Sequence, residues 1–284
     1  MKTDRMQVET LLENIVDEVK RVEGVRAIVL GGSRARGTHT PSSDVDLGIY
    51  YHPDEPLNLD QLREVATKLD HEHRADVITE PGGWGPWING GGWLSVQSHP
   101  VDFLYRDLQK VTTVIEDCLQ GRVEIVYQPG HPFGFVSSMY LAEVAVCQPL
   151  WDSQGAISEL KGRIDPYPDS LQKALIQKFA WEIDFSIRIA RKSIERADVA
   201  YAAGCCFRSV MCMLQVLFAL NKAHWLNEKG AVALAETFAI KPVMLQSRIN
   251  EVFQALEANP QSIQKAVVVL EGLSQEINIL TRDL

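Results

Sequence analysis

The run from Asp44 to Tyr51 limits most strongly what this chain can become. Val45, Leu47, Ile49 and Tyr51 alternate with Asp44, Asp46 and Gly48, the period of two expected of a half-buried strand. One face is apolar and must be covered, while the other carries carboxylates. Just upstream, Val25 to Leu30 is a short apolar run rich in β-branched residues, which predicts a buried strand, and Gly31-Gly32-Ser33 then turns the chain sharply.

The surrounding pattern is mixed. Residues 5–22 place Met6, Val8, Leu11, Leu12, Ile15, Val16 and Val19 near helical spacing, an amphipathic first helix that Gly24 ends. Leu57 to Leu69 reads as a helix, Asp76 to Thr79 as a short strand, and Pro81 to Trp93 as a loop or hairpin of glycine and tryptophan. Pro100 to Tyr105 alternates again, with Val101, Phe103 and Tyr105 opposite Asp102 and Leu104, and a helix is expected from Asp107 to Leu119. Beyond residue 133 strand signals nearly vanish. Helical periodicity marks 136–147, 153–163, 169–196, 199–222, 230–238, 243–257 and 260–280. The expected class is α/β (α+β): an N-terminal mixed β-sheet domain flanked by helices, residues 1–130, then an all-α helical bundle, residues 131–284. The breakers Gln128-Pro129-Gly130-His131-Pro132 mark the boundary.

Length and charge narrow the function. Two domains are the natural expectation for 284 residues. A formal charge of −9, from 28 basic and 37 acidic side chains, argues against a nucleic-acid footprint, which needs a basic face. A small or cationic partner fits better. No unbroken run of about 18 apolar residues and no signal-peptide pattern is seen, so no membrane span is expected and a cytoplasmic location is the default. Five cysteines without CxxC or zinc spacing read as reduced, mostly buried thiols.

The chemistry concentrates in Leu30-Gly31-Gly32-Ser33, ten residues, then Asp44-Val45-Asp46-Leu47. Glycines after a strand let the backbone approach a phosphate, amides at the start of a helix offer donors, and Ser33 adds a hydroxyl. Aspartates at i and i+2 point to one face and can share a hard divalent cation. Asp102, on another alternating strand, can face the same cleft as a third carboxylate. In a two-metal arrangement one ion activates the attacking oxygen and the other neutralises the triphosphate. Either motif alone is usually a plain turn or a solvated acid pair; the conjunction carries the reading.

Gly32-Ser33, ten residues, Asp44-Val45-Asp46 and the later Val101-Asp102-Phe103 resemble the signature of DNA polymerase β-like nucleotidyltransferases, in particular small bacterial aminoglycoside and lincosamide nucleotidyltransferase-like proteins. The resemblance covers about the first 105 residues. It implies a minimal mixed sheet and Mg²⁺-dependent transfer of a nucleoside monophosphate, with two ions and ATP or another triphosphate as donor. Asp44, Asp46 and Asp102 are then metal ligands and catalytic residues, Asp102 as ligand, general base or both. Gly32, Ser33 and Arg36 are expected at the terminal phosphates, with Ser43 beside them. Trp84-Gly85-Pro86-Trp87, Gly90-Gly91-Gly92-Trp93, Tyr105-Arg106-Asp107 and Gly130-His131-Pro132 resemble one bacterial branch of these proteins. The helical half, with Asn227-Glu228-Lys229, is similar to their helical substrate domains, where a lysine such as Lys229 reaches the triphosphate.

Other residues divide between function and packing. His131 touches the acceptor or packs in the hinge. Trp84, Trp87 and Trp93 stack on a ring or, more simply, fill a hairpin. Glu143, Asp152, Glu182 and Asp184 are acids among which the sequence does not choose an acceptor-side base. The leading expectation is transfer of AMP from ATP to a hydroxyl of a small acceptor held with the helical half. The alternatives are an antitoxin-like protein that binds or modifies a protein partner, and a catalytically inert binding module. Acceptor, nucleotide preference and oligomeric state stay open.

Overall fold

The computed structural model describes residues 2–282, with side chains from Val8 onward; the Met6 side chain, counted in the first helix above, lies outside the described ones. The elements run α1 (Lys2–Val19), β1 (Val25–Leu30), α2 (Gly32–Arg36), β2 (Val45–Tyr51), α3 (Leu59–Leu69), α4 (Gly85–Ile88), β3 (Gly91–Val96), β4 (His99–Asp107) and α5 (Leu108–Leu119). Then come β5 (Ile125–Val126), β6 (Phe135–Val136), α6 (Ser138–Val146), β7 (Gln148–Asp152), α7 (Ala156–Ile164), α8 (Asp169–Arg191), α9 (Val199–Leu220), α10 (Ala231–Ala235), α11 (Leu245–Gln254) and α12 (Pro260–Leu280).

The chain divides into two compact units, Met1–Glu116 with Tyr140–Pro166, and Asp117–Met139 with Tyr167–Leu284. The division therefore differs from a single boundary at residue 130. Its cause is β7, which the sequence pattern hid: five residues containing Pro149 pair antiparallel with β1, Leu30 opposite Gln148, and draw residues 140–166 into the sheet unit. The breakers at 128–132 instead form the turn of a small ribbon in which β5 and β6 pair.

In the first unit the sheet order is β3-β4-β2-β1-β7. Strands β2 and β4 run parallel and the other neighbours antiparallel, a mixed sheet as expected. Its apolar face takes Val45, Leu47, Ile49, Val101, Phe103 and Tyr105 into one core with Leu11 and Ile15 of α1 and Leu62 and Ala66 of α3. Each large side chain so buried contributes about 1.5–3 kcal/mol, which fixes the register of both acid-bearing strands, because a slip of one residue would turn the carboxylates into the core.

The opposite face is covered only at one end. There Tyr50 and Arg106, paired across β2 and β4, are buried at 2% and 3% exposure. Glu143 of α6 closes on Arg106 with two hydrogen bonds of 2.8 Å. The other end, which carries Asp46 and Asp102, stays partly exposed.

The second unit is helical, as expected, around the long pair α8 and α9. Helix α9 begins on Asp198, whose side chain accepts the Tyr201 N–H, and buries most of its length. It is long and apolar enough by composition to cross a membrane, yet 72% of that stretch is buried inside the protein. The cysteines are free thiols, four of them buried and Cys205 half-buried.

Two local expectations are corrected and one is made specific. Only Ile78 of the predicted strand at 76–79 joins the sheet, as an isolated bridge to Gly92. Of the loop or hairpin expected over 81–93, Gly91 to Trp93 is the start of strand β3, which forms a hairpin with β4, its alternation masked because glycine carries no apolar signal. The helix predicted over 230–238 is a single turn, Ala231–Ala235.

Candidate active site

Asp46 and Asp102 are direct partners across the parallel pair β2–β4. Both carboxylates therefore stand on the same face of the sheet, about 4.8 Å of strand spacing apart. Asp44 lies one residue before β2 and is exposed. Burial, then the charges of Asp46 and Asp44, push the Asp102 carboxyl up to about 6 from its ordinary 3.8. The charges of Asp46 and Asp44 thus both bear on Asp102, a repulsion that a cation or a proton would relieve.

The glycine turn abuts this cluster. Gly31 N–H donates to the Asp46 carbonyl at 2.8 Å, continuing the β1–β2 pairing by one residue. Gly32 has φ of +59°, and a Cβ placed on it would lie 1.8 Å from Asp46 Oδ2. The acid occupies the space that the missing side chain leaves. Gly32→Ala is expected to cost about 1–3 kcal/mol of stability, since it both strains the backbone and displaces Asp46. Urea titration checks this, and an unchanged midpoint would show that the contact is dispensable. The helix after the turn is only five residues, so its dipole is slight and close backbone approach is what the turn supplies.

Arg34 is a positioning residue that the motif did not reveal. It is 8% exposed, and its guanidinium donates to the carbonyls of Asp44 at 3.1 Å and Ser43 at 2.8 Å. It clamps the end of the 37–44 loop and so fixes where Asp44 points. An arginine two places before Arg36 was the available signal, but sequence does not say which of the two turns inward. Arg36 is half-buried, and burial lowers its pKa from the ordinary value; the guanidinium remains a cation. Ser33 sits in the first turn of α2 and its carbonyl accepts the Thr38 N–H at 3.0 Å. The Ser43 hydroxyl accepts the Thr40 N–H at 2.9 Å and lies 3.2 Å from the Thr40 hydroxyl, which shapes the loop.

The donor set suits a hard divalent cation in chemistry, being all carboxylate oxygen. It is an open arrangement: among the described residues no group of three His, Cys, Asp or Glu side chains forms a ready-made metal site.

The remaining candidates have structural partners. Glu143 neutralises Arg106, Asp152 accepts from the Ser158 N–H and hydroxyl at 3.0 Å, Glu182 pairs with Arg208 at 2.5 Å, and Asp184 accepts from Ser274 and Asn278. His131, in the ribbon of the second unit, lies 3.3 Å from Glu228 and edge-on to Phe135, a packed position. Lys229 also belongs to that unit; its N–H donates to Asn227 Oδ1 at 3.0 Å just before α10.

Residues 12–84 match the family model described as nucleotidyltransferase domain, the stretch that holds β1, the glycine turn and Asp44 with Asp46. Residues 135–229 match a domain of unknown function, DUF4037. A solved nucleotidyltransferase-like protein from Exiguobacterium sibiricum 255-15 aligns over 96% of this chain and 78% of its own, with 12% identity and a TM-score of 0.44. No curated protein matches the sequence.

Proposed function

Since residues 12–84 are a nucleotidyltransferase domain of the polymerase β-like superfamily, we propose that the chain transfers a nucleoside monophosphate, AMP from ATP, to a hydroxyl of a small acceptor. The observation that carries this reading is the Asp46–Asp102 register, which sets two acids side by side against a glycine turn. Asp44, Asp46 and Asp102 would hold Mg²⁺, two ions in the full complex. Mg²⁺ commonly takes only one or two carboxylates and completes its shell with substrate phosphates and water, which suits an open cluster. Bound there, Mg²⁺ would neutralise triphosphate charge and make the acceptor hydroxyl more acidic.

The protein's own part is positioning and charge. The backbone at Gly31-Gly32 admits the triphosphate tail closely, with the Ser33 hydroxyl and the Arg36 cation as its partners. An acceptor oxygen forms a bond to the α-phosphorus, the bond from that phosphorus to the bridging oxygen breaks, and pyrophosphate leaves with the electron pair. Asp102, the cross-strand partner of Asp46, receives the acceptor proton.

Calorimetry with Mg²⁺ and a non-hydrolysable ATP analogue tests the premise. Binding that depends on Mg²⁺ and weakens at least about tenfold when Ca²⁺ or no metal is supplied is expected. Equal binding with and without a divalent ion would refute a carboxylate–metal–triphosphate site.

A further inference from the structure

We infer that Trp93, backed by Trp84, is the acceptor-binding platform of this site and selects an acceptor whose hydroxyl sits on a positively charged ring. The inference rests on the transferase reading above and adds to it where the acceptor lies. Trp93 pairs with Asp102 across β3–β4, and Asp102 pairs with Asp46 across β2–β4. Paired residues of neighbouring strands share a face. With Gly31 bonded to Asp46, a single row crosses the sheet: glycine turn, Asp46, Asp102, indole.

Phosphoryl transfer needs the attacking and leaving oxygens roughly in line. If the triphosphate tail lies at the glycine end, the attacking hydroxyl arrives from the Asp102 end, over Trp93. Trp93 is 63% exposed, and its ring stacks on Trp84 with centroids 4.6 Å apart. At Gly91, two residues earlier on the same strand face, an added Cβ would lie 2.9 Å from the Trp84 ring, so Trp84 packs where a side chain is missing.

The loop behind the platform is firmly held despite its glycines. Asn89 accepts the Gly82 N–H at 2.8 Å and donates to the Tyr51 hydroxyl at 3.0 Å. Arg106 donates to the Ile88 carbonyl at 3.0 Å, Tyr140 to the Trp87 carbonyl and Lys110 to that of Pro86. An indole exposed on a fixed support, with Asp102 opposite it on β4, favours a cationic ring through its π face.

The probe is 3-hydroxypiperidine, a protonated saturated ring with one hydroxyl, followed by proton NMR for the upfield shift that an indole face imposes. Neutral tetrahydropyran-3-ol is the control. Trp93→Ala is expected to weaken probe binding about tenfold, Trp93→Phe to retain most of it, and the neutral control to bind more weakly than the probe. Affinity for the Mg²⁺-bound ATP analogue should stay within about twofold in both variants. No binding by the natural protein, or equal binding by Trp93→Ala, overturns the platform. Loss of analogue affinity in Trp93→Ala assigns the ring to the nucleobase and also overturns it. A Trp93-dependent probe shift in a protein that ignores the analogue keeps the platform and rejects the nucleotide reading alone.

Discussion

Asp46→Asn is expected to lower triphosphate turnover by about a thousand-fold and yet raise thermal stability. The two effects have one cause. Asp46 and Asp102 are cross-strand partners held by the core behind them, and burial and charge together raise Asp102 to about 6. A carboxyl raised from 3.8 to about 6 on folding binds its proton more tightly in the native state, so the native state loses stability as pH rises through that interval. The loss is complete above about pH 6 and absent below about 3.8. At 1.36 kcal/mol per pH unit its upper limit is about 3 kcal/mol, and water at the open end of the cluster reduces that.

Removing the Asp46 charge relieves part of this cost, at about 2–4 °C of Tm per kcal/mol. Melting curves of both proteins in chelator, from pH 3.5 to 8, measure it. The Tm difference should be near zero at the acid end and grow to its full size above pH 6. A variant less stable at pH 7.5, or one with undiminished turnover, would show that Asp46 is an ordinary structural acid.

The second large effect lies away from the chemistry. Glu143→Ala is expected to cost about 3–5 kcal/mol of stability, because it strands a buried guanidinium. Arg106 is 3% exposed. Burial lowers its pKa, which the charge and hydrogen bonds of Glu143 outweigh; without Glu143 the burial remains, yet an arginine is basic enough to keep its proton there. Arg106 also donates to the Ile88 carbonyl at 3.0 Å, which ties the tryptophan loop to the same pair. Urea titration of Glu143→Ala should show the loss, and Arg106→Met combined with Glu143→Leu should regain most of it, since an apolar pair of similar volume leaves no charge to desolvate. Equal destabilisation by the single and double variants would mean that packing, not charge, is what Glu143 provides.

Both results bear on what a reader of the sequence could know. The alternation of Val45 to Tyr51 and of Pro100 to Tyr105 located β2 and β4 nearly to the residue, because a sheet with one covered face must alternate. Glycine at 32 was read as room for a phosphate, whereas the contact that the fold builds there is with Asp46, a neighbour that spacing along the chain did not name. Glu143 was only one acid among several, since its partner lies 37 residues away. The loop hydrogen bond from the Thr40 N–H to the Ser43 hydroxyl has no pattern along the chain that announces it.

The sequence by itself determined the local matters: periodicity, the glycine turn, and which acids face away from the core. Tertiary structure decided which strands are neighbours. Asp46 opposite Asp102, Trp93 next in the row, and β7 on the far edge all follow from pairing between distant segments. Strand pairing is carried by backbone groups that every residue shares, so no side-chain pattern along the chain specifies which partner a strand will find.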